Sequence, residues 1–181
     1  AVRAGVALVS EDRKTQGLAL NQSVLANGRL ALDAVWPLGA RRRSRRLPGI
    51  LDSLELVARG GHGQEVRFLS GGNQQKVVLA KWLAADPGVM VMDEPTRGID
   101  VGAKQAVYRL MRELSAEGVA IVLISSELPE LIGMSDRLVV LDDGRVAGEL
   151  PGGSSEEAVM AMATGAPPEG APEQDPERHD P

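Results

Sequence analysis

Apolar residues along the chain follow two rhythms. Residues 6–9, 89–92 and 119–124 are short unbroken apolar runs, the pattern of strands buried in a parallel sheet. Between them the spacing is helical. Residues 23–32 place Val24, Leu25 and Leu32 on a helix, and Trp36-Pro37-Leu38-Gly39 breaks it. Ile50, Leu51, Leu54 and Val57 predict a second helix over 50–58. A third over 73–85 is closed by Asp86-Pro87-Gly88, after a polar loop at 10–22 and a glycine-rich loop at 60–63. Residues 101–117 present Ala103, Ala106, Val107, Leu110, Met111 and Leu114 on one face and stop at Gly118.

The end of the chain changes rhythm again. Residues 127–134 predict a short helix with Pro129 in its first turn. Two apolar segments, 137–141 and 145–150, flank Asp143-Gly144, a strong hairpin signal. Ser154-x-x-Glu157 predicts a capping box for a helix running to about 163. Strand, helix, strand, helix, strand in that order is an α/β pattern with a mainly parallel sheet and right-handed crossovers. No internal repeat is present.

Composition narrows the functions open to such a fold. A length of 181 residues suits one domain. Without cysteine, neither disulfides nor thiolate metal sites are possible. Only four aromatic residues occur, which argues against base-stacking platforms for nucleic acid. No apolar run reaches the ~18 residues of a membrane span, and residue 1 does not open a signal peptide. Residues 166–181 carry five of the eleven prolines and a net charge of −4 out of −5 for the chain, so a disordered acidic tail is expected there. One basic cluster, Arg41 to Arg46 interrupted by Ser44, can touch nucleic acid or anionic lipid; its shortness favours a solvated loop or helix start.

Two motifs carry chemistry. Leu69-Ser70-Gly71-Gly72-Asn73-Gln74-Gln75-Lys76 is a serine-glycine turn feeding a helix. Its N–H groups and positive dipole end face outward, the glycines allow close approach of an anion, and the serine hydroxyl can donate to a phosphate oxygen. Further on, the strand over 89–92 ends in Asp93-Glu94. A strand end can direct one carboxylate to a Mg²⁺ ion and leave the other to orient or deprotonate a water.

In that order and spacing the two motifs resemble the signature and Walker B motifs of ATP-binding cassette (ABC) ATPases. The continuation Pro95-Thr96-Arg97-Gly98-Ile99-Asp100 resembles their D-loop, with Asp100 the residue that reports across a dimer interface. The resemblance spans about residues 2–165. It is closest to the C-terminal cassette of the two-cassette ATP-binding subunits of ribose-, xylose- or galactose-type sugar importers, on the segments 4–14, 69–76 and 124–137. No Gly-x-x-x-x-Gly-Lys-Ser/Thr phosphate loop occurs; Gly98 to Lys104 has the wrong spacing and follows the carboxylate strand. The chain thus reads as the back part of such a cassette, truncated ahead of its signature and without the Walker A loop.

The resemblance implies an incomplete nucleotide-binding domain over 1–165, with a small helical subdomain at about 23–85, and it implies ATP and Mg²⁺ as ligands. It assigns Ser70, Gly71, Gly72, Asn73, Gln74 and Asp100 to nucleotide binding and Asp93 to the metal. Glu94, Ser126 and Glu11 take the catalytic positions. Two depart from the family: Glu11 stands where a glutamine contacts Mg²⁺ and water, and Ser126 where a histidine senses the γ-phosphate. A serine carries no positive charge and a glutamate adds a negative one, so this chain's own site is expected to hydrolyse poorly. Its intact signature would close over ATP held by the phosphate loop of a partner cassette. The implied partners are that cassette and membrane permease subunits, without nucleic acid, at the cytoplasmic side of the cell membrane.

By itself the chain is expected to be inactive and marginally soluble, because a sheet lacking its first elements exposes an apolar edge or face. A non-catalytic interaction module derived from such a cassette is the alternative. A soluble ABC ATPase of DNA repair or translation ranks third, since long insertions and basic surfaces are absent.

Overall fold

A computed structural model describes residues 1–36 and 43–165. The chain divides after Ser126 into two compact units. The break expected at 37–39, Arg41, Arg42 and the acidic tail lie outside the described residues.

In the first unit, β1 (Val6–Val9), β2 (Val89–Asp93) and β3 (Ala120–Ile124) form a parallel sheet in the order β1-β2-β3. Ala7, Met90 and Ile121 share one row, Leu8, Val91 and Val122 the next. Helices α1 (Val24–Val35), α2 (Leu47–Ser53) and α3 (Gly71–Leu83) lie between β1 and β2, and α4 (Val101–Ala116) joins β2 to β3. Each step advances one strand in the same direction, so right-handed connections deliver every helix to the same face. Burial follows. Val9, Met90 and Met92 are 0% exposed, with Val77, Val78, Val107 and Met111 also in the core. On the opposite face Leu8, Val122 and Ile124 remain 51%, 50% and 48% exposed. Among the described residues this apolar face is left half-exposed.

Polar side chains hold the insertion between β1 and β2. Ser23 Oγ accepts from the Ala26 N–H and caps α1. Asn27, fully buried, donates to the carbonyls of Ala19, Gln22 and Ser23 and accepts from the Ala19 N–H, so its burial is compensated. Lys81 is also buried; its Nζ donates to the Gly17 carbonyl at 2.7 Å, and burial draws its pKa below the ordinary value. The polar loop after β1 contains one wide helical turn, Arg13–Gly17, capped by Asp12. Hydrogen bonds from Thr15 and Lys14 hold the Asp12 carboxyl below its ordinary pKa.

The helix expected over 50–58 is shifted. It begins at Leu47, with Pro48 in its first turn, and ends at Ser53. Glu55 has φ +52°, and the Leu56 N–H donates to Leu51 O while the Glu55 N–H donates to Asp52 O. That is a Schellman stop, made here with a glutamate in the left-handed position that glycine usually fills. Helix α3 holds the released chain: Lys76 Nζ donates to Glu55 O, and the Val57 N–H donates to Asn73 Oδ1, each at 2.9 Å. Val57, predicted on the apolar face, is consequently exposed.

The second unit holds α5 (Leu128–Met134), the hairpin β4 (Arg137–Asp142) and β5 (Arg145–Pro151), and α6 (Glu156–Thr164). Asp143 and Gly144 both have positive φ, the two-residue turn that the sequence predicts. Leu138, Val140 and Val159 form its core, with Leu131, Ile132 and Leu150 against them. The cap of α6 is Ser155, not Ser154; Ser154 Oγ instead donates to Pro151 O.

Candidate functional site

Parallel strands deliver their following loops to one edge of the sheet, the usual place for a ligand site in an open α/β fold. In the first unit these loops follow Val9, Asp93 and Ile124. The turn that starts α3 belongs beside them.

Ser70 is exposed and extended, the cap of α3. Its Oγ accepts from the Asn73 N–H at 3.4 Å and from Asn73 Nδ2 at 2.9 Å, which leaves the hydroxyl hydrogen free to donate elsewhere. Helix geometry leaves the first-turn N–H groups of Gly71 and Gly72 without intrahelical acceptors. The glycines here are dictated by packing. A Cβ on Gly72 would lie 2.9 Å from Ala103 Cβ and 3.5 Å from Asp100 Oδ2. Asp100 caps α4, accepting from the Ala103 N–H at 2.9 Å. Two helix N-termini, those of α3 and α4, thus meet at a glycine.

The other predicted residues divide into two groups. Glu94 and Ser126 are joined: the Ser126 N–H donates to Glu94 Oε1 at 2.6 Å. Glu94 has φ +48°, and its N–H donates to Ile124 O, continuing the β2–β3 ladder by one bond. A left-handed non-glycine residue at a strand end is a conformation that its surroundings must maintain. Asp93 precedes it as the last residue of β2. Glu11 is ion-paired with Arg97. Gln74 is buried, its amide donating to Val66 O and Leu69 O, and the Asn73 amide is divided between Ser70 and Val57.

One residue escaped the sequence reading. Arg13 donates from Nη1 to Arg97 O at 3.0 Å and from Nη2 to Gly98 O at 3.4 Å. The signal available in the sequence was only an arginine in a polar loop, which names no partner.

Among the described residues, no three of His, Asp and Glu gather as a metal cluster. Mg²⁺ needs no such cluster, because one or two carboxylates suffice when phosphates and water complete its shell, and the Asp93-Glu94 pair at the strand end supplies that chemistry. The arrangement can therefore present N–H donors and a hydroxyl to an anion at one turn, and carboxylates to a cation or a water at another.

A sequence profile described as ABC transporter matches residues 1–97. Ribose import ATP-binding protein RbsA 1 of Streptomyces avermitilis is 51% identical over 171 residues, covering 90% of this chain and 32% of that protein. Ribose import ATP-binding protein RbsA of Bacillus subtilis is 44% identical over 169 residues, covering 91% and 34%. The chain thus spans about a third of the length of the curated relatives it matches. Among solved structures, a dimeric bacterial ABC transporter cassette aligns with TM-score 0.69 at 24% identity, covering 82% of this chain and 63% of that one. A nucleotide-free ATP-binding cassette from an ABC transporter aligns with TM-score 0.69 at 22% identity, covering 92% and 67%. The last two speak to the fold alone.

Proposed function

The chain belongs to the ABC transporter family, and from that premise we propose that it is part of the ATP-hydrolysing subunit of a carbohydrate importer. In this reading its Ser70-Gly71-Gly72 turn supplies donors to ATP held by the phosphate loop of a second cassette. The observation that carries it is the α3 start: a capping serine with a free hydroxyl hydrogen and two glycines kept small by their neighbours, Gly71 by Arg13 and Gly98, and Gly72 by Ala103 of α4. The curated relatives, which are ribose import ATP-binding proteins, support the carbohydrate class, and a membrane permease is the partner that this reading requires.

The roles follow from placement. Ser70 Oγ–H and the first-turn N–H groups of α3 orient a phosphate and offset its charge. Asp100 fixes the start of α4 against Gly72, keeping that turn in place. In the chain's own site, Asp93 would hold Mg²⁺, and Mg·ATP when bound supplies the phosphoryl group and a cation for its charge. Glu94 would orient water there with one oxygen, since the other accepts from Ser126. The Ser126 side chain brings no cation, and Glu11 is occupied by Arg97. This site is therefore the weaker hydrolytic one, and the turn at Ser70 is the part that acts.

The test is a hybrid. Residues 1–165 replace the corresponding segment of a ribose-importer ATPase, and ATP hydrolysis is followed with permease present. Ser70→Ala is expected to lower kcat about a hundredfold, the scale of removing one donor to a developing anion. Glu94→Gln is expected to change it less than about threefold. The reverse order, or Mg·ATP turnover by the isolated chain that Glu94→Gln abolishes, would refute the assignment. Full indifference to both would favour the non-catalytic module.

A further inference from the structure

The loop after β1 grips the loop after β2 at two points. One is the Glu11–Arg97 ion pair between exposed side chains. Exposed pairs of this kind contribute little, because water and salt screen them. The second is Arg13. Its guanidinium is directed at backbone: Nη1 to Arg97 O and Nη2 to Gly98 O. It is half-buried, and its Nε is enclosed without a hydrogen-bond partner. Charge-assisted bonds to carbonyls are the stronger kind, and an enclosed donor left unpaired implies that the fork is held where these two bonds require it.

The same fork touches the turn that starts α3. A Cβ on Gly71 would stand 3.0 Å from Arg13 Nη2 and 3.1 Å from Gly98 O. Gly71 is thus packed directly on the Arg13–Gly98 contact. Behind it, Gly72 is packed on Ala103 and Asp100. Three segments distant in sequence, 11–13, 97–100 and 70–72, are in contact through one side chain. Asp12 stiffens the turn that carries this arginine by accepting from the Lys14 and Thr15 N–H groups.

We infer that Arg13 is a positioning residue: by bonding the carbonyls of Arg97 and Gly98 beneath Gly71, it sets where the Ser70 turn stands relative to the carboxylate loop. It touches no reacting atom. It acts through the placement of Ser70 and Gly71, and so rests on the reading of that turn as the phosphate lid. Lysine cannot replace it fully, because a single ammonium lacks the planar fork that meets two carbonyls.

The test has two arms. In the first, amide hydrogen exchange is followed without nucleotide in the 181-residue chain, in Arg13→Ala and in Arg13→Lys. Arg13→Ala is expected to raise exchange about tenfold at Asn73, Gln74, Arg97 and Ala103, with the amides of β2 and β3 and the urea midpoint unchanged. Arg13→Lys should fall between. No change at those four amides overturns the inference; so does a uniform rise that includes the strands, which would make Arg13 an ordinary stabiliser. In the second arm, the hybrid ATPase carrying Arg13→Ala should lose about tenfold in kcat with KM for ATP within twofold, as expected when a donor is misplaced and not removed. Were the lid reading itself wrong, Ser70→Ala would leave kcat intact while the exchange result stood. Were the positioning wrong, Ser70→Ala would still cost activity and Arg13→Ala would not.

Discussion

The two faces of the three-stranded sheet are made of the same kind of residue and end in opposite environments. Along β2, Met90 and Met92 point into a layer of α3 and α4 and are fully buried; in the alternate rows, Leu8, Val122 and Ile124 stand half in water. Hydrophobicity alone does not separate these two sets. Topology does, because strands added in one direction through right-handed connections receive helices on one side only. One face is specified by contacts this chain supplies, and the other is apolar without a counterpart among the described residues.

The sharpest way to break that contrast is a matched truncation. Met92→Ala on the covered face is expected to cost about 2–5 kcal/mol in urea unfolding, whereas Leu8→Ala should cost less than about 1. Equal losses would mean that the exposed row is covered in solution. Next in size is Gly72→Ala, whose methyl meets Ala103 at the α3–α4 contact. It should destabilise by about 1–3 kcal/mol, and Ala103→Gly in the same chain should recover part of that loss. Strict additivity of the two changes would show that the contact is not tight.

Smaller still is the effect of Lys81, the buried cation of the covered layer. Its folded pKa lies below the ordinary 10.5, so the unfolded chain binds the extra proton between the folded value and 10.5. Stability should therefore rise with pH across that window, and Lys81→Met should remove this part of the rise. A wild-type curve parallel to that of Lys81→Met would contradict the assignment. The least energetic change is Val122→Thr on the open face, expected within about 0.5 kcal/mol of wild type while raising the concentration at which the chain stays monomeric by light scattering.

Strand positions and the α/β order were legible in the sequence because β1, β2 and β3 are unbroken apolar runs, and α4 carries one clear stripe. The hairpin was legible from Asp143-Gly144, where turn chemistry is local. The end of α2 was not. Its apolar spacing continued to Val57, but Asn73 and Lys76, distant in sequence, captured the backbone first. The site shows the same division. Ser70 and Gly72 could be singled out because a serine-glycine turn at a helix start leaves a local signature, and Asp100 only through the family resemblance; the structure puts the three in one corner. Glu11 could be noticed as a departure, yet its pairing with Arg97 could not, since an ion pair across such a separation has no pattern in the sequence. Gln74 looked like part of the ligand turn, but a helix turns that position inward to Val66 and Leu69.

The pairing of Val6 with Val89 also sets a timetable for folding. Strands β2 and β3 are linked by a single helix and can meet early, whereas β1 must wait for three helices to be made before its neighbour exists. At about 5–20 residues per second, β1 leaves the ribosome several seconds before the β2 strand it pairs with. Its docking should also be the late step in refolding, because long-range parallel pairing is slow. Pulse-labelled exchange should find the amides of β3 protected before those of β2 that face β1. Until β2 arrives, the edge of β1 that will pair with it remains open, which makes those seconds the interval in which a chaperone, or another copy of the chain, can bind there.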